Sequence, residues 1–165
     1  MSRGLPNAAL RPGRDSELGR PAEPSARRTR RETAAALAGV PLFSGVSTKH
    51  LRMLADRSEQ VVFRTGQTVV EQDMLGEATY VVLAGRAVVS RGGRTVGHVM
   101  PGEFFGELSA IDGGPRTATV TADTPLTLLR LSRPTLRSAI EAEPAIAVRM
   151  LEGMSRRLRQ IASQR

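Results

Sequence analysis

The chain has 165 residues, 40% of them hydrophobic and only 3% aromatic, which suffices for one aliphatic core and is too short for two ordinary domains. Its formal charge is +8 and it has no cysteine, so disulfides and thiolate chemistry are excluded and the redox compartment is left open. No apolar run approaches the roughly 20 residues that a membrane-crossing helix needs, and the first residues lack the apolar stretch of a secretory signal, so a cytoplasmic location is expected.

Residues 1–33 stand apart. They carry eight arginines against four acids, with Pro6, Pro12, Pro21 and Pro24 and little apolar periodicity, and read as a disordered Arg/Pro-rich tail. The tail holds +4, half of the net charge, so the remainder is only mildly basic and its charge alone does not argue for nucleic-acid binding. Arg27-Arg28-Thr29-Arg30-Arg31 suits a phosphate-bearing surface, with a plain solvated tail as the competing reading.

Residues 34–165 are expected to form one domain. Leu51, Leu54 and Ala55 fall at helical spacing within Thr48 to Arg57, with Ser47 or Thr48 able to cap the first turn. Over about 59–131 the period shortens. Val61-Val62-Phe63, Thr68-Val69-Val70, Ala78 to Leu83, Ala87-Val88-Val89, Thr95 to Met100, Ala118 to Thr121 and Leu126 to Leu131 read as strands, separated by Gly66, Gly85, Gly92-Gly93, Gly102 and Pro125. Many short strands with glycine-rich turns predict a mainly β fold, a double-sheet jelly-roll β-barrel with an N-terminal helix and two C-terminal helices over about 133–162. Pro134 falls in the first turn of a helix running to about Glu141, and Pro144 opens a longer one ending near Ala162. In that last helix Ala147, Leu151, Met154, Leu158 and Ile161 are spaced four, three, four and three apart, the pattern of a two-helix seam, which leaves a homodimer or packing onto the same domain as alternatives.

The chemistry concentrates in Gly102 to Val120. Gly106-Glu107-Leu108-Ser109 can supply the start of a helical turn, whose outward amides and peptide dipoles suit a phosphate. Gly106 permits an unusual backbone angle and a close approach. Arg116 offers a guanidinium fork for a phosphodiester. Glu107, acceptor-only when ionised, suits a ribose hydroxyl. Asp112-Gly113-Gly114-Pro115 reads as a tight turn that returns the chain to a strand starting near Arg116. Taken singly, Glu107 could equally cap or pair with a neighbouring turn, Arg116 could pair with Glu107, and Gly106 could merely permit the bend.

The run Phe105-Gly106-Glu107-Leu108-Ser109, then Pro115-Arg116-Thr117-Ala118-Thr119-Val120, closely resembles the phosphate-binding cassette of the cyclic nucleotide-binding domain, the module of the catabolite activator protein and of cyclic AMP-dependent protein kinase regulatory subunits. Leu42 to Ser47, Gly66 to Gln72 and Tyr80 to Ala87 are similar to further parts of that family, so the resemblance runs from about residue 38 to about residue 162. It implies a ligand, cyclic AMP favoured over cyclic GMP, bound by Phe105, Gly106, Glu107, Leu108, Ser109, Arg116 and Thr117. Thr117 bears on the choice of purine. The family also implies a C-terminal helix that closes over the purine, with Arg156, Arg157, Leu158 and Ile161 at a plausible depth for the contact.

Catalysis is not expected. His50 and His98 lie far apart in sequence without further ligands at metal spacing and read as surface or turn residues, and no nucleophile elbow or P-loop is present. No metal or cofactor is expected beyond the nucleotide ligand. No helix-turn-helix follows the last helix, so direct sequence-specific DNA binding is not expected of this polypeptide. The resulting expectation is a stand-alone cyclic-nucleotide sensor that signals to an unknown effector protein through its C-terminal helix. The alternative is a ligand-independent scaffold or nucleic-acid accessory protein that uses the same fold and the arginine tail.

Overall fold

The computed structural model describes residues 28–163 and the backbone of residues 20–21. The strands are β1 Arg20–Pro21, β2 Glu59–Phe63, β3 Thr68–Val70, β4 Thr79–Ala84, β5 Ala87–Arg91, β6 Arg94–Val99, β7 Phe104–Phe105, β8 Thr119–Ala122 and β9 Leu126–Leu131. The α-helices are α1 Arg30–Ala38, α2 Thr48–Arg57, α3 Glu107–Asp112, α4 Arg133–Ala142 and α5 Ala145–Ser163, with a 3-10 turn at Pro41–Phe43. The strands form two antiparallel sheets, ordered β1-β2-β9-β4-β7 and β3-β8-β5-β6, the double-sheet jelly roll that the glycine-punctuated strand pattern predicts.

Two apolar layers follow from the two-residue period of the strands. Tyr80 and Val82 of β4, Phe105 of β7 and Leu126 and Leu128 of β9 point between the sheets, where they meet Phe63, Val70, Ala87 and Val120. Their neighbours Val81, Phe104, Leu129 and Leu131 point the other way, against Leu37, Phe43, Leu54, Leu136, Ile146 and Met150 of the helical layer. Strands buried on both faces lose the apolar/polar alternation, which is why β4 reads Tyr-Val-Val-Leu.

The N-terminal boundary falls earlier than residue 33. Thr29 Oγ1 accepts from the Glu32 amide at 3.2 Å while Glu32 Oε2 accepts from the Thr29 amide at 2.7 Å, a capping box that starts α1 at Arg30. Hydrogen bonding from the Thr29 amide, and next from the Thr29 side chain, holds the Glu32 carboxyl below its ordinary range. Arg28 donates its amide to Gln60 Oε1, and Arg30 pairs with Asp56 of α2, so the distal part of the arginine cluster is docked on the domain. Arg20 and Pro21 pair with Val62 and Val61, so at these two residues the expectation of an unstructured tail is corrected. The rest of that tail lies outside the described residues. The short β7 and the pairing of Arg116 also depart from expectation. Arg116 exchanges backbone hydrogen bonds with Asp73 and Met74, and the strand after it begins at Thr119.

At the root of α5, Glu143 Oε1 accepts from the Ser47 amide at 3.4 Å and lies 2.8 Å from His50 Nδ1. The bond to His50 and then that to Ser47 lower the Glu143 pKa. His50 is therefore a half-buried tie between α2 and the α4–α5 junction, whereas His98 is an exposed strand residue.

Candidate functional site

A cavity of about 650 Å³ lies between the β3-β8-β5-β6 sheet, the start of α3 and the inner side of α5. That size falls within the range of small-molecule sites. All seven residues singled out in the sequence, Phe105, Gly106, Glu107, Leu108, Ser109, Arg116 and Thr117, line it.

Arg116 is 2% exposed, and its guanidinium is held by backbone: Nη1 donates to the Gly106 carbonyl at 2.9 Å and Nη2 to the Ala78 carbonyl at 3.0 Å. Gly106 adopts φ +80°, and a Cβ there would stand 2.7 Å from Arg116 Nη1 and 2.8 Å from the Ala78 oxygen. Both the backbone angle and the close approach therefore require glycine. Glycine also lets the chain turn directly from β7 into α3, so that the first residues of the helix meet the cavity. Gly113, in the same left-handed conformation, ends that helix, and Gly114 donates its amide to Asp112 Oδ1 at 2.8 Å, forming the tight turn read from the sequence.

Glu107 is 4% exposed, too buried to carry a charge without a partner. Its Oε1 accepts from Arg157 Nη1 of α5 at 2.7 Å. The same guanidinium donates from Nη2 to the Phe104 carbonyl and lies over the Phe104 ring, 4.8 Å from its centroid. Phe105, on the opposite face of β7, stacks on Tyr80 with 5.2 Å between centroids. Ser109 is buried, while Leu108 and Thr117 are exposed to different degrees at the cavity wall. The Thr117 carbonyl accepts from Arg91 Nε of β5 at 3.1 Å.

The opposite wall is mostly apolar: Leu151, Met154, Leu158 and Ile161 of α5, with Ser155 and Gln160 beside them. Helix α5 thus has a buried side and a cavity side that stays open to solvent. Ile146, Met150 and Gly153 are buried against the domain, whereas the seam stripe leaves Leu151 61%, Leu158 67% and Ile161 45% exposed.

Sequence reasoning did not assign three participants. The Ala78 carbonyl has no side-chain signature. Arg91 sits two residues beyond the apolar part of β5 and is marked by nothing local. Arg157 was one of four residues read at suitable depth, and both it and Arg156 share the face of the buried Gly153, so nothing local singles it out. Among the described residues no cluster of His, Cys, Asp or Glu could hold a metal, and no helix is long and apolar enough to cross a membrane.

The double-sheet roll brings a buried arginine, a buried glutamate and a glycine-started helical turn to one cavity, the arrangement of a small-molecule binding domain. The comparisons give it a family. Residues 60–143 match the cyclic nucleotide-binding domain. The CRP-like cAMP-activated global transcriptional regulator of Mycobacterium tuberculosis is 33% identical over 128 residues, covering 74% of this chain and 57% of the regulator. The cAMP-dependent protein kinase regulatory subunit of Eremothecium gossypii is 37% identical over 98 residues, covering 59% of this chain and 21% of that protein. The crystal structure of the Thermus thermophilus catabolite activator protein superposes with a TM-score of 0.68 at 31% identity, covering 75% of this chain and 61% of that one. The chain belongs to the cyclic nucleotide-binding domain family, and it spans a little over half the length of the first of these relatives.

Proposed function

We propose that residues 34–165, extended to the cap at Thr29, form a sensor domain that binds a cyclic purine nucleotide, cyclic AMP ahead of cyclic GMP. Arg116 takes the cyclic phosphate through charge-assisted hydrogen bonds, aided by the α3 N-terminus. Glu107 accepts from the ribose 2′-OH. A carboxylate has about four acceptor positions, so the contact of Oε1 with Arg157 still leaves room for a hydroxyl. The apolar α5 wall covers the purine, and Thr117 lies where it can contact phosphate or base. The relatives named for cyclic AMP support the preferred purine. The observation that carries the reading is the convergence of two almost fully buried opposite charges, Glu107 and Arg116, on one cavity of ligand size.

Ligand seating then biases the position of α5, because a nucleotide that touches α5 only when it is docked stabilises the docked state by its differential affinity. Leu151, Leu158 and Ile161 line the cavity yet stay largely open to solvent, so a change in the seating of α5 alters the apolar surface offered to a protein partner, which includes a second copy of the chain. The domain acts by binding and carries out no reaction.

Calorimetric titration with cyclic AMP and cyclic GMP, beside Arg116→Ala, tests this. Saturable binding of the wild type that the variant weakens by about 2–3 kcal/mol is expected for loss of a charged hydrogen-bond partner. Absence of heat, together with no thermal stabilisation at millimolar ligand, would overturn it.

A further inference from the structure

Gly153 sits in the interior of α5 with ordinary helical backbone, where glycine is the poorest helix former after proline. A local reason for it is visible. A Cβ at Gly153 would stand 3.0 Å from Phe104 Cζ and 3.1 Å from Phe104 Cε1, well inside the about 3.5–4.0 Å at which carbon atoms rest against each other. One turn later, on the same face of the helix, Arg157 lays its guanidinium over that same ring and donates to the Phe104 carbonyl and to Glu107. The ring is set in the core on a paired strand. Phe104 is 6% exposed, is packed in the helical core with Leu129, Ile146 and Met150, and belongs to β7, paired to Val81 of β4.

We propose that Gly153 and Phe104 form a notch and key that sets the height of α5 above the cassette, and that Gly153 is a positioning residue acting through Arg157 on the Glu107 carboxylate. The N-terminal half of α5 is anchored by Ile146 and Met150, which are 1% and 2% exposed. A methyl group at 153 therefore lifts the half beyond it, where Arg157, Leu158 and Ile161 meet the cavity. The consequence for ligand affinity rests on the cyclic-nucleotide reading; the seating of the helix does not.

The test uses the full chain with Gly153→Ala, Phe104→Leu and the double variant. Alanine strengthens an isolated helix, so a purely local effect would slow amide exchange in α5. The notch predicts the opposite sign: in ligand-free Gly153→Ala, amides of residues 154–163 exchange faster by about tenfold, as expected for overpacking. Cyclic AMP affinity should fall by a similar factor. Phe104→Leu in the Gly153→Ala background should restore both protection and affinity to the level of Phe104→Leu alone, because the shorter side chain vacates the place of the ring edge. Unchanged or slower exchange in Gly153→Ala, or losses that simply add in the double variant, would overturn the notch. If the wild type binds no cyclic nucleotide, the proposed function fails, and the exchange arm still decides the notch by itself.

Discussion

The two walls of the cavity are built on different terms. On the β-roll side, Arg116 is gripped by the carbonyls of Gly106 and Ala78 beneath the sheet core, and Glu107 is buried. On the α5 side, the wall includes the exposed Leu151, Leu158 and Ile161, and the helix is held through Ile146, Met150, Gly153 and the Arg157 guanidinium. One wall is part of the fold and cannot move without disturbing the inter-sheet core. The other is docked by a few contacts, the kind of element from which ligand-dependent motion is drawn. In the proposed function, recognition of phosphate and sugar belongs to the fixed wall, and response belongs to the docked one.

Substitutions can break that contrast from either side. The largest effect is expected on the fixed wall. Gly106→Ala combines a left-handed backbone angle with overlap onto Arg116 and the Ala78 oxygen, so denaturant unfolding should show a loss of about 3 kcal/mol, and cyclic AMP binding should be abolished. Next comes the bond between the walls. Arg157→Ala leaves Glu107 buried without its ion partner; because Arg157 is 38% exposed, the cost should be about 1–2 kcal/mol rather than that of a fully buried pair. Adding Glu107→Gln should return most of that stability while leaving nucleotide affinity poor. That outcome would separate the charge from its ligand role.

Smaller effects sharpen the picture away from the site. Thr29→Ala removes the α1 cap and should cost about 1 kcal/mol in chemical unfolding, with cyclic AMP affinity unchanged. The Glu143 tie predicts a pH dependence. Its pKa in the folded protein is lowered by His50 and the Ser47 amide, so its stabilisation is present above the ordinary carboxylate range and is lost as pH falls through the lowered value. Thermal midpoints measured down an acid series should therefore drop less steeply for Glu143→Gln than for wild type. Back at the α5 wall, the smallest change in stability is expected at Leu158→Glu, within about 0.5 kcal/mol for an exposed site, while calorimetry should show weaker cyclic AMP binding because Leu158 lines the cavity.

Much of the fixed wall was legible because its residues are dictated locally. Phe105 to Ser109 and Pro115 to Val120 form one contiguous cassette, and each carries its chemistry in its type: a glycine where no Cβ fits, an acid, a guanidinium. The strands were legible from apolar runs between glycines, and α2, α4 and α5 from capping residues and helical spacing. What escaped was non-local or too short. β7 is two residues long and gives no period, and the partnership of Glu107 with Arg157 joins residues 50 apart in the chain. Gly153 is silent in sequence because its reason is the edge of Phe104. The α1 start was a different case. The Thr29-x-x-Glu32 capping box was present in the sequence and was masked by the surrounding arginines and by the composition of the segment before it.

The contrast between the walls is tested most directly by amide hydrogen exchange of the wild type with and without saturating cyclic AMP. The account predicts a gain in protection along α5, residues 145–163, and in α3 where the ligand contacts it, with β4 and β9 unchanged. Saturable binding with α5 exchange unaltered would contradict it, placing the response elsewhere and leaving α5 as passive cover.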